Sequence, residues 1–191
     1  MKKRQFLAIS AAAASAPLWV AGCTTTGGAQ GDPADQRRSI DAEVDSALSR
    51  LFQEVRGSKE LVDRAQGVLV LPRVVSGGFI FGAAGGNGAL RTQGKTASYW
   101  RMAEGQLGLL AGAQSQAMFI LFMTPQALSS FTKGSGWTAG VDGNITLVNV
   151  GANASLTTQT AQQPIVGFVL TNSGLMAGIS FQGTRFTRLP L

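Results

Sequence analysis

The sequence predicts an α+β fold: a curled antiparallel sheet, barrel- or sandwich-like, covered by N-terminal amphipathic helices and one internal helix. Three observations lead there. Apolar residues recur at helical spacing between residues 40 and 55. Short β-type runs separated by turn residues fill the chain after Ala65. One capped helical stretch, near residues 124–134, interrupts those runs.

The first 22 residues are expected to be a leader outside the fold. Lys2, Lys3 and Arg4 precede an uncharged, Ala-rich stretch from Phe6 to Val20, the n-region and h-region of an export signal. Lys3-Arg4-Gln5-Phe6-Leu7 also resembles a twin-arginine signal with Lys for the first Arg, which leaves the export route open. The stretch ends in Val20-Ala21-Gly22-Cys23, which resembles the lipobox of bacterial lipoproteins. Cleavage before Cys23 and acylation of its thiol and amine are expected, because Cys23 is the single cysteine and polar sequence follows it. Several acyl chains exceed the marginal anchoring of one. Thr24 stands where an Asp would retain the protein at the inner membrane, so an outer-membrane address in the cell envelope is expected.

Residues 23–38, the lipidated Cys and a polar Gly-, Thr- and Asp-rich stretch, read as a flexible tether reaching about 20 Å as a coil. Residues 39–191 then form one domain. Ile40, Val44, Leu48, Leu51 and Val55 make one apolar stripe of a helix, with Ser39 as N-cap and Gly57 free to turn left-handed after it. Ser58 is expected to cap a second, short helix, KELVDRA. The strand runs are GVLVLP, GGFIFG, TASYWRMA, QAMFILFMT, WTAGV, NITLVNV, PIVGFVLT, GLMAGISF and TRFTRL. Asp142-Gly143, Asn172-Ser173-Gly174 and Gln182-Gly183 read as hairpin connections. Met118–Met123 is apolar on both faces and so predicts a central, covered strand. Thr124 as N-cap and Pro125 at the first helical position open the internal helix. An outer-membrane barrel is the rival all-β reading; the lipobox and the scarcity of Tyr and Trp for two aromatic girdles count against it.

Ala89-Leu90-Arg91-Thr92-Gln93-Gly94-Lys95-Thr96 fits the phosphate-loop pattern [A/G]-x-x-x-x-G-K-[S/T], and GAAGGNG precedes it. A working loop needs a helix after it, whose N-terminus and loop amides hold the phosphates. The next residues, ASYWRMAEG, have a strand pattern instead, so a tight turn at Gln93-Gly94 is expected and no nucleotide. The chain has no His, the commonest general base and metal ligand. Beyond residue 63 the acids are Glu104 and Asp142 alone. No catalysis, cofactor or metal is expected.

Three of the 16 basic residues lie in the leader, so the mature chain carries 13 against 10 acids, a net +3. Residues 24–63 hold five basic and eight acidic side chains; residues 64–191 hold eight basic and two acidic. Arg64, Arg73, Arg91, Lys95, Arg101, Lys133, Arg185 and Arg188 are therefore the candidates for contact with anionic lipid headgroups. Basic and aromatic residues do not interleave as nucleic-acid binding would need, and no nucleic-acid partner is expected.

Residues 65–90, AQGVLVLPRVVSGGFIFGAAGGNGAL, resemble the opening of the SYLF domain family. Tyr99-Trp100 stands where that family has an aromatic pair or a lone Trp. GAQSQAMFILFMTPQALSSF (112–131) is similar to its GAQS strand and capped helix, and residues 167–189 to its closing segment. The resemblance implies a module that interacts with membrane phospholipid. The helix from Ser39 departs from the family's basic helix by carrying Asp41, Glu43, Asp45 and Glu54, which speaks against phosphoinositide specificity. The alternative is a structural or surface-exposed lipoprotein that binds an envelope protein partner.

Overall fold

The computed structural model describes residues 32–78, 81–107, 113–148, 162–171, 174–175 and 181–191. The expected leader, the Cys23 lipidation site and residues 24–31 of the expected tether lie outside these. Residues from Gly31 onward form one compact unit.

Helix α1 spans Pro33–Glu54 and begins ahead of the expected Ser39 cap. Asp32 is the N-cap, its carboxylate accepting from the Ala34 N–H at 2.9 Å, and Pro33 occupies the first turn. The last part of the expected tether is thus helical. Ala34 and Pro33 are its only apolar residues, so it carries no apolar stripe at helical spacing. Ile40, Val44, Ala47 and Leu51 are the buried face. Gly57 takes the left-handed conformation, φ 78°, and turns the chain into α2, Ser58–Arg64. Ser58 does not cap α2 with its side chain. Its buried hydroxyl instead lies 3.1 Å from the Leu51 carbonyl and 2.7 Å from the Val55 carbonyl, satisfying acceptors at the end of α1.

The strands are β1 Gly67–Gly78, β2 Phe81–Thr92, β3 Lys95–Leu107, β4 Ala113–Phe122, β5 Gly136–Thr138, β6 Thr146–Leu147, β7 Ile165–Thr171, β8 Gly174–Leu175 and β9 Arg185–Leu189. They form one sheet in the order β5-β9-β3-β2-β1-β4-β7-β6, with β8 also on β7. Every pairing between strands is antiparallel except β6 with β7. GGFIFG, expected as a strand of its own, is split between the ends of β1 and β2. Asp142-Gly143 does not join antiparallel neighbours, because β5 and β6 lie at opposite ends of the strand order. Asp142 instead accepts from the Thr138 N–H at 2.6 Å, folding a local loop. Gln182-Gly183 is a turn, but the strand it leads into pairs with β3 and β5.

The sheet curls into a half-barrel. Six strand spacings separate β5 from β7, about 29 Å if flat. Yet a Cβ on Gly143 would stand 2.8 Å from Trp137 of β5 and 3.3 Å from Ile165 of β7. The bend has a local origin in Pro72, in the middle of central strand β1. Proline cannot donate to a ladder and survives inside a sheet only at an irregularity. Register shifts fall there on both sides, between Val70 and Val75 towards β2 and between Leu71 and Val74 towards β4. The bulged segment presses on β2, where Gly86 and Gly88 stand. A Cβ on Gly88 would lie 1.9 Å from the Val70 carbonyl oxygen.

Two cores result. The inner face packs under α3, Pro125–Thr132, whose N-cap Thr124 accepts from the Ala127 N–H at 3.2 Å. Phe131 of α3 is the hub, with ring centroids 4.2 Å from Trp100, 4.7 Å from Phe122, 5.6 Å from Trp137 and 6.0 Å from Phe186. The outer face packs α1 and α2 on Val68, Val70, Ala89, Phe119, Leu121, Val166, Phe168 and Leu170. Met118–Phe122 is buried on both faces, as its composition requires.

Candidate functional site

Side chains alternate along β3, so Trp100 and Met102 enter the inner core while Tyr99, Arg101 and Ala103 point to the other face. The register with β9 pairs Arg101 with Thr187 and Ala103 with Arg185. Arg101 and Arg185 are thus diagonal neighbours on one face, about 7–8 Å apart at Cα. Both are exposed, and neither has a carboxylate within ion-pair distance among the described residues. Arg101 Nε donates to Asn87 Oδ1 at 3.1 Å. Arg188 pairs with Trp100 and lies over its ring, 5.6 Å from guanidinium carbon to ring centroid.

The other expected contacts are placed differently. Arg91 is 16% exposed and turned onto α1, 2.7 Å from Asp45 and 3.5 Å from Asp41. Its charge is neutralised there, so it belongs to the fold and not to a free basic surface. Arg73 sits 3.8 Å from Glu43. Arg64 ends α2, Lys95 follows the β2–β3 turn, and Lys133 ends α3; all three are exposed. The eight basic residues are not one patch. Arg101 and Arg185 share one face of β3–β9, Arg188 lies on the opposite face over Trp100, and the rest are dispersed or paired.

Arg37, assigned by sequence to the tether, belongs with Arg188. It lies on the second turn of α1, near enough to Tyr99 for its charge to act on the phenol. The signal that could have found it is Asp32-Pro33, a cap followed by a first-turn proline. Arg37, Arg188, Thr96, Ser98, Tyr99 and Leu189 line a cleft of about 550 Å³. Beside it, Asp41 ties α1 to β3, accepting from Thr96 Oγ1 at 2.7 Å and from the Tyr99 hydroxyl at 2.8 Å. Burial first, then the hydrogen bond to Asp41 and that residue's charge, push the Tyr99 phenol above its ordinary value. At neutral pH it is an uncharged donor.

The remaining chemistry is structural. Glu104 accepts from Thr184 Oγ1 at 2.9 Å, and no metal-binding cluster of His, Cys, Asp and Glu occurs among the described residues. The phosphate-loop look-alike is the β2–β3 hairpin. Gln93 and Gly94 turn it with φ 50° and 76°, and Lys95 and Thr96 pair back onto Thr92 and Arg91. No described helix is long and apolar enough to cross a membrane.

Comparison with known families bears on the same region. Residues 103–189 match the family model Ysc84, described as Las17-binding protein actin regulator. Residues 103–189 are thus similar to the Ysc84 (SYLF) family. No curated protein matches the chain. The SYLF match takes in the end of β3, the buried strand β4, the capped helix α3 and all of β9, hence Arg185 and Arg188. Helices α1 and α2 and the β1–β2 hairpin lie upstream of it, so the likeness at 65–90 falls outside the matched SYLF segment and those at 112–131 and 167–189 fall inside.

Proposed function

We propose that this is a non-enzymatic, lipid-anchored protein of the bacterial envelope whose SYLF-type domain binds anionic phospholipid surfaces. The carrying observation is charge segregation. Eight of ten acids sit within residues 32–63, on or beside the two N-terminal helices, whereas Arg101, Arg185 and Arg188 stand exposed on β3–β9 without carboxylate partners among the described residues. Near an anionic bilayer each well-placed basic side chain contributes about 1 kcal/mol, so Arg101 and Arg185, which share one face, give roughly a thirtyfold preference over a neutral surface. The lipobox at Cys23 supports the anchor, and the SYLF match supports lipid as the partner class.

The test is flotation of the chain from Thr24 onward with vesicles of phosphatidylcholine, with and without phosphatidylglycerol. Binding only to the anionic vesicles, reversed by salt and weakened in Arg101→Gln/Arg185→Gln, is expected. Absence of binding at low salt refutes it. Mass spectrometry of protein purified from cells should show Cys23 acylated and the leader gone.

A further inference from the structure

Three clefts among the described residues differ in charge. One, about 280 Å³, is lined by Asp45 and Asp63 with Arg91, which is already paired to α1. A second, about 350 Å³, holds Glu43, Arg50 and Arg73; Arg73 faces Glu43 at 3.8 Å, and Arg50 meets Glu54 at 2.6 Å. The third, between the start of α1 and β3–β9, has Arg37 and Arg188 and no acidic side chain in its lining. Neither guanidinium lies within ion-pair distance of any carboxylate of the described residues, the Leu191 carboxylate included.

We propose that this cleft is a phosphate-ester site, with Arg37 approaching from the α1 side of β3, Arg188 from the Trp100 side, and Ser98 donating a third hydrogen bond. Ser98 Oγ accepts from Trp100 Nε1 at 2.8 Å. The hydroxyl's own proton has no acceptor among the described residues and is left for a ligand. Arg188 is pre-positioned by its cation–π contact with Trp100, a ring that is itself fully buried. A planar guanidinium held in this way loses little freedom on meeting a phosphate. Leu189, Pro190 and the Tyr99 ring give the cleft an apolar wall for the ester carbons.

The source of the phosphate is either a lipid headgroup or a soluble ester. The lipid source rests on the membrane reading above; the chemistry of the cleft does not. If Cys23 carries the anchor, residues 24–32 span at most about 30 Å before α1 begins, and the cleft lies beside that end of α1.

The experiment measures binding of glycerol 3-phosphate by titration calorimetry and of phosphatidylglycerol vesicles by flotation. It compares the chain from Thr24 onward with Arg37→Gln, Arg188→Gln, the charge-keeping Arg188→Lys and the off-cleft Arg101→Gln/Arg185→Gln pair. Thermal melts verify that each variant is folded. Either Gln substitution is expected to weaken phosphate-ester binding about tenfold, the loss of one charge-assisted contact. Arg188→Lys, which keeps the charge but not the planar fork, recovers only part of the affinity lost in Arg188→Gln, and the off-cleft pair leaves glycerol 3-phosphate binding unchanged. Binding of vesicles but not of the soluble ester, lost in the Gln variants, assigns a lipid headgroup. Binding of the soluble ester without vesicles keeps the cleft and removes the membrane reading. Vesicle binding that survives both Gln substitutions but falls in the off-cleft pair overturns the cleft and keeps the membrane reading. No binding of either probe overturns both.

Discussion

Glycine in a strand interior normally weakens it, so replacing Gly88 by Ala should add stability on propensity grounds. The structure reverses the sign. The new Cβ would lie 1.9 Å from the Val70 carbonyl oxygen, 2.8 Å from its carbon and 2.9 Å from the Leu71 Cα. All three are backbone atoms of central strand β1, where Val70 and Leu71 are fully buried. No rotamer change relieves the clash; the two strands must part by about 1 Å or more to restore ordinary contact distances. Overpacking relieved by side chains costs about 1–3 kcal/mol. A backbone shift at this point belongs at or above the top of that range, about 3 kcal/mol. A domain this size loses about 2–4 °C of Tm per kcal/mol, so Gly88→Ala should melt about 6–12 °C lower. Gly105 of β3 is the control, since its added methyl meets nothing within 4 Å. Gly105→Ala should gain about 0.4–1 kcal/mol from the unfolded chain's lost freedom. Urea denaturation and thermal melts of the two variants check both signs. A Gly88→Ala protein as stable as the parent would refute the close approach, and with it the explanation of the glycine run as a packing requirement.

Three further substitutions and one titration test other parts of the molecule. Phe131→Ala removes the ring that meets Trp100, Phe122, Trp137 and Phe186, and should cost about 3–5 kcal/mol by chemical denaturation. The chain has one tyrosine, so phenolate absorbance reports Tyr99 alone. Asp41→Asn should lower the Tyr99 titration midpoint, because the carboxylate charge that helps raise it is lost and the amide oxygen accepts more weakly, while burial remains. In the unaltered protein the folded-state value lies above the ordinary one, about 10. The Tyr99 contribution to stability is therefore complete below about pH 10 and is lost as pH climbs through the raised value. Gln93 holds φ 50° in the β2–β3 turn, a conformation that asparagine tolerates better. Gln93→Asn should raise Tm slightly, by about 1–2 °C for about 0.5 kcal/mol.

Where one local signal decides an element, the sequence was legible. Thr124-Pro125 opens α3, Gln93-Gly94 turns the hairpin, and the doubly apolar Met118–Phe122 is the covered strand. The start of α1 was missed because Pro33 to Ser39 offers no apolar period, only a cap and a proline. The pairing of β9 between β3 and β5, and of β6 parallel to β7, arises from contacts distant in sequence that no window contains. The candidate site divides in the same way. Alternation along β3 and β9 is readable, so Arg101 and Arg185 can be put on a sheet face. That Arg91 spends its charge on Asp45, 46 positions earlier, depends on how α1 docks. A charge count treats it as free.

The kink at Pro72 also partitions the protein in time. Before it, β1 is sandwiched between both helical layers; after it, Val75 is 47% exposed, and Ala83, Gln114 and Ser115 on the flanking strands are exposed as well. One strand thus joins a half covered on both faces to a half with less apolar cover. Amide protons at 68–71 should exchange with solvent only on global unfolding, and those at 75–78 through smaller, faster openings. A single strand would then report two different opening free energies, with the proline as the border between them.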